Sequence, residues 1–131
     1  RSLRDEVAYL KSERDQLSFY KDYKANLRLR RAIERCLHIS IESCLDIGRH
    51  LIALESLPFP ETNKEVFFFF SRARIIPRTL LPNLLSMAGF RNLVVHEYVK
   101  IDDHEVYKIL RHQLGDFDAF AEAIIAYLDS Q

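Results

Sequence analysis

Apolar residues recur along this chain at helical spacing. Leu3, Val7, Leu10 and Leu17 lie three, four and seven residues apart, with Arg14 breaking the series. This is the stripe of an amphipathic helix over residues 2 to about 20, most easily buried against the next helix in a hairpin. From about Asp22 to Glu55, the positions Ile33, Leu37, Ile41, Cys44, Gly48, Leu51 and Ile52 continue one seam, which predicts a single long helix ended by Pro58 and Pro60. Thr62-Asn63-Lys64-Glu65 has the form of a capping box opening a short helix through the Phe67 to Phe70 run. Pro77 starts a further helix, which tolerates Pro82 only in or near its first turn. Gly89 marks either a close backbone approach or a weak point in that helix. Asp102 or Asp103 caps a final helix to about Leu128, apolar at Val106, Ile109, Leu110, Phe117, Phe120, Ile124, Ile125 and Leu128, and Gly115 in its middle argues against a straight rod. No strand pattern or repeat interrupts the series. The expected fold class is all-α, an up-and-down bundle of four to six helices forming one domain over residues 1–131.

Composition refines this picture. The 131 residues are 48% hydrophobic and 29% charged, with only 3 Gly and 4 Pro, which suits helices joined by short connections. Cys36 and Cys44 fall in one predicted helix, about 12 Å apart along its axis and beyond disulfide reach, so both are expected to be reduced, buried and apolar in character. No apolar run reaches the roughly 20 residues of a membrane span and no signal-peptide pattern is present. The expectation is a cytoplasmic protein without a membrane partner. Basic and acidic residues balance, 19 against 19. A nucleic-acid enzyme of this composition must concentrate positive charge locally, as in Lys24, Arg28, Arg30, Arg31 and Arg35, or in Arg72, Arg74 and Arg78.

The chemistry is densest at Arg91-Asn92-Leu93-Val94-Val95-His96-Glu97-Tyr98. Arginine offers a rigid fork of donors matched to phosphate oxygens, and histidine takes and returns a proton near neutrality. RNA carries its own nucleophile in the 2′-hydroxyl, so Arg91 as phosphate anchor and His96 as acid/base could cleave it without a metal, although an isolated Arg and His on a helix are more often a surface residue and a satisfied histidine. On an ideal helix Arg91 and His96 are about 140° apart. They converge only if the helix breaks or if two copies face one another across a two-fold axis. Asn92 and His96 share a face at i and i+4, so Asn92 can orient the imidazole or contact phosphate.

Glu34, His38, Glu42, Asp46 and His50 form an i, i+4 ladder. His38, Glu42 and Asp46 have the spacing to ligate a metal from one helix, but a solvated or cleft-lining face is the favoured reading. If part of the ladder faces the cleft, Arg35, Asp46 and His50 become supporting residues around His96. Four consecutive phenylalanines point around the whole helix circumference, so at least one ring should meet a neighbouring element, a second subunit or a protein partner. His104 and His112 read as surface or capping residues.

The octapeptide resembles the R-x4-H motif of HEPN domains, and the added x-Tyr is similar to the R-x4-H-x-Y signature of HepT-type toxins. The helix-like stretch 31–50 and the Gly89-Phe90 pair leading into the motif extend that resemblance over nearly the whole chain. It implies a small helical, metal-independent endoribonuclease acting as a homodimer, with Arg91 and His96 as the reactive pair and transfer RNA or messenger RNA as substrate. It also implies that Tyr98 accepts AMP from a cognate MntA-type nucleotidyltransferase antitoxin, placing bulk and negative charge where RNA phosphate must sit. The alternative is a non-catalytic helical subunit that binds a nucleotide or partners such a nucleotidyltransferase.

Overall fold

The computed structural model describes residues 2–94 and 100–131. Seven α-helices occupy them: α1 (Leu3–Gln16), α2 (Tyr20–Ala25), α3 (Leu27–Leu54), α4 (Asn63–Arg72), α5 (Leu81–Val94), α6 (Asp103–His112) and α7 (Leu114–Asp129), with a 3-10 turn at Arg78–Leu80 leading into α5. No strand occurs among the described residues. The all-α bundle is as expected, with more helices than the four to six foreseen because both long rods are broken. The first breaks at Asn26, whose extended backbone ends α2 while its side chain accepts from the Leu29 N–H at 3.0 Å to start α3. The second breaks at Gln113, two residues before Gly115, so this glycine lies in the first turn of α7 and not mid-helix.

Local signals set the remaining boundaries. Ser2 caps α1, Asp102 caps α6, and both bonds of the Thr62/Glu65 capping box form at the start of α4. Pro82 sits in the first turn of α5, where its missing N–H leaves no hydrogen bond unmade. α3 is the central element. Its predicted seam is buried throughout, and it packs against α1, α2, α4, α5 and α7. Each large apolar side chain so buried stabilises the fold by about 2 kcal/mol before entropy is counted. Phe67 and Phe70 of α4 pack edge-on against Phe120 of α7. Phe69 lies against the core edge and Phe68 is 40% exposed, the one ring of the four facing solvent.

Gly48, not Gly89, is the close approach. A Cβ at Gly48 would sit 2.5 Å from Val66 Cγ1 and 2.8 Å from Phe70 Cε2, whereas one at Gly89 would meet nothing within 4 Å. The cysteines are free and buried, as expected. Ile125 and Leu128 are exposed despite the apolar run they belong to, because the inward face of α7 is set by Phe117, Phe120 and Ile124. No described helix is long and apolar enough to cross a membrane.

Candidate functional site

The last turn of α5 presents Arg91 and Asn92 as half-buried neighbours. Being about 100° apart on the helix, they reach different partners. Arg91 Nε donates to Glu42 Oε1 of α3. Among the described residues its two Nη nitrogens meet no acceptor. His38, one turn before Glu42, brings its Nε2 to 3.9 Å from the same carboxylate oxygen. Burial is the largest influence on this imidazole and pushes its pKa down; the cations Arg91 and Arg35 act in the same direction and Glu42 against it. Burial and the two cations thus favour the neutral ring of His38, beside a carboxylate already engaged by arginine.

Asn92 takes part in a second chain of contacts. Its Oδ1 accepts from Asn63 Nδ2 at 2.9 Å, and Asn63 Oδ1 accepts from Arg49 Nη2, whose other terminal nitrogen lies 3.2 Å from Asp46 Oδ1. This series ties α3, α4 and α5 together at one end of α5. Its carbonyl oxygen is thus occupied, and its Nδ2 donors meet no acceptor among the described residues.

His96 and Tyr98 lie outside the described residues, as does the expectation that Asn92 orients the imidazole. Of the three supporting candidates, Asp46 reaches Asn92 only through Arg49 and Asn63. Arg35 is exposed and near enough to His38 to influence it. His50 is exposed in a groove with Leu54, Ile124 and Leu128, on the side of α3 that faces α7. The ladder thus divides, with Glu42 meeting Arg91 and His38 beside Glu42, Glu34 pairing with Arg31 at 3.3 Å and His50 turning to α7. Its metal-binding alternative has no support among the described residues, where no three acidic, histidine or cysteine side chains converge. Glu42 carried a signal in its ladder position. Asn63 carried none, since as the first residue of α4 its side chain is not needed by the capping box.

Comparison with known proteins places this geometry in a family context. The family model described as Ribonuclease HepT-like matches residues 3–124. An mRNA nuclease HepT of Shewanella oneidensis is 29% identical over 112 residues, covering 86% of this chain and 81% of that protein. A tRNA nuclease HepT of Aphanizomenon flos-aquae is 26% identical over 107 residues, covering 82% and 73%. The tri-AMPylated Shewanella oneidensis HEPN toxin, solved in complex with MNT antitoxin, superposes with a TM-score of 0.79 at 25% identity over 95% of this chain and 96% of that one.

Proposed function

Because the chain belongs to the HepT-like ribonuclease family, we propose that it is the endoribonuclease toxin of a toxin–antitoxin pair, and that its whole length acts as one HepT-like domain in the cytoplasm. The observation that carries the site assignment is the half-buried Arg91, braced through Nε by Glu42 with its Nη fork unclaimed by described residues. That fork binds the scissile phosphate and stabilises the charge that develops on it. His96, five residues on, withdraws the proton of the 2′-hydroxyl or returns one to the leaving 5′-oxygen. The 2′-oxygen attacks phosphorus as the P–O5′ bond breaks, leaving a 2′,3′-cyclic phosphate and a 5′-hydroxyl. The substrate carries the nucleophile, so no cofactor is needed. Asn92 supplies a further donor to the phosphate. The separation of about 140° that Arg91 and His96 would have on an ideal helix favours a homodimer in which the two motifs face each other.

Tyr98 is the AMP acceptor in this reading, and a nucleotidyltransferase antitoxin is the donor's enzyme. The modified relative in complex with MNT antitoxin supports that partnership. An adenylated tyrosine two residues from His96 blocks RNA by bulk and like charge.

The test is incubation of unmodified wild-type protein and a folded His96→Ala variant with total cellular RNA in EDTA, followed by sequencing of fragment ends. Cleavage by wild type alone with cyclic-phosphate ends is expected, with His96→Ala slower by about 10²–10⁴-fold. Intact RNA with both proteins, on material whose mass shows no AMP, would sink the ribonuclease reading in favour of a non-catalytic nucleotide-binding or interaction subunit.

A further inference from the structure

The two basic clusters fare differently in the fold. In the first, Arg30 is bound by Asp103 at 3.0 Å and Arg31 by Glu34 at 3.3 Å, while Lys24, Arg28 and Arg35 are exposed and, among the described residues, have no ion pair and share no single groove with one another. In the second, Arg72, Arg74 and Arg78 are exposed, and no carboxylate among the described residues pairs with them. All three border a groove of about 980 Å³ between the segment following α4 and the end of α7, where Ser71, Tyr127 and Ser130 also line it.

The groove is rigidly built. After α4 the chain reverses through a Schellman motif, in which Ile75 N–H donates to Phe70 O at 2.9 Å and Arg74 N–H to Ser71 O at 3.1 Å. Arg74 takes the left-handed position of that motif, with φ 60°. Ile75 and Ile76, directly after it, are buried and pin the segment to the core. The arginines therefore project from a backbone that is already fixed. On the opposite wall the Tyr127 ring is held by its hydroxyl, which donates to Glu55 Oε1 at 2.9 Å. Cations along a groove with an aromatic ring on its wall are the elements of single-stranded nucleic-acid binding, phosphates meeting arginine and a base stacking on the ring.

Position links the groove to the motif. Arg78 precedes α5 and Arg91 ends it, so the two lie thirteen residues and about 20 Å apart along the helix, the length of about six stacked nucleotides at ~3.4 Å each. We propose that this groove binds the phosphate backbone of single-stranded RNA about six nucleotides from the bond to be cut, holding the substrate at both ends of α5. The proposal rests on the ribonuclease reading for its biological sense, but the binding it asserts is independent of cleavage.

The test uses cleavage-dead His96→Ala protein and a labelled single-stranded RNA of roughly 12 nucleotides, a length within the usual site sizes, with affinity followed by fluorescence anisotropy across a salt series. Into this background go Arg72→Ala, Arg74→Gly and Arg78→Ala together; glycine suits the left-handed position, so charge is removed without straining the turn. Affinity should fall at least about tenfold, and the log–log salt slope should flatten by about two, three phosphate contacts at ~0.7 each. Should the triple variant melt early, Arg78→Glu alone makes the same comparison. Unchanged affinity and slope overturn the proposal. So does unchanged RNA binding combined with lost association with the nucleotidyltransferase, which would make the groove a protein-docking surface. The two readings separate cleanly. Cleavage by wild type with RNA binding unaffected by the triple variant removes only the groove, and loss of binding without any wild-type cleavage removes only the ribonuclease.

Discussion

At the scale of single residues, the arrangement around Arg91 makes Glu42 a positioning residue. Its carboxylate occupies Nε and so directs the remaining fork outward. Replacing it by glutamine keeps the shape and an acceptor oxygen but removes the carboxylate's charge, which weakens the bond to Nε. Glu42→Gln should lower cleavage about tenfold while far-UV circular dichroism and Tm change little; a Tm collapse in step with the activity would make Glu42 a structural residue only. Arg91→Lys keeps the charge and loses the planar fork, and should cost about 10²-fold in kcat/KM. His38 supplies a pH effect. Its folded-state pKa is lowered, chiefly by burial, so below about pH 6.5 the unfolded chain binds the proton more readily than the folded one. Stability therefore declines as pH falls through the ordinary imidazole range. Urea titrations between pH 7 and pH 5 should show this decline reduced in His38→Gln.

At the scale of elements, α3 and α4 approach closely at Gly48. A methyl group there meets Val66 and Phe70 at distances no real Cβ keeps, and both neighbours are locked in the core. Gly48→Ala should destabilise the protein by about 2 kcal/mol through overpacking, seen as a Tm lower by several degrees; an unchanged Tm would mean that the two helices slide apart at no cost. Arg74 offers the opposite sign. A non-glycine residue in the left-handed region costs about 1 kcal/mol or more, so Arg74→Gly should raise Tm slightly even as RNA affinity falls. The legibility of elements was uneven. Stripes and caps placed α1, α4, the body of α3 and the start of α6, because those signals act over three or four residues. The breaks at Asn26 and Gln113 were missed, since an apolar seam runs on through a bend when both sides pack on the same core, and Asn26 reads as a cap only once the chain there is extended.

At the scale of the whole molecule, the prediction concerns assembly. If Arg91 of one copy works with His96 of another, mixing Arg91→Ala chains with His96→Ala chains should restore cleavage that neither variant shows alone; no restoration would put both groups in the cleft of one chain. The sequence by itself determined the all-helical class, most of the caps and the chemistry carried by residues 91–98, because each depends on neighbours within a turn or two. It also supplied both basic clusters as equal candidates. The tertiary structure distinguishes them, by bringing Asp103 to Arg30 across 73 residues of chain and by gathering Arg72, Arg74 and Arg78 along one groove with no carboxylate partner among the described residues. Likewise it selected Glu42 from five ladder residues as the partner of Arg91, 49 positions away, and Asn63 as the partner of Asn92. Such pairings follow from how helices are rotated and stacked against a shared core, and no local spacing encodes that.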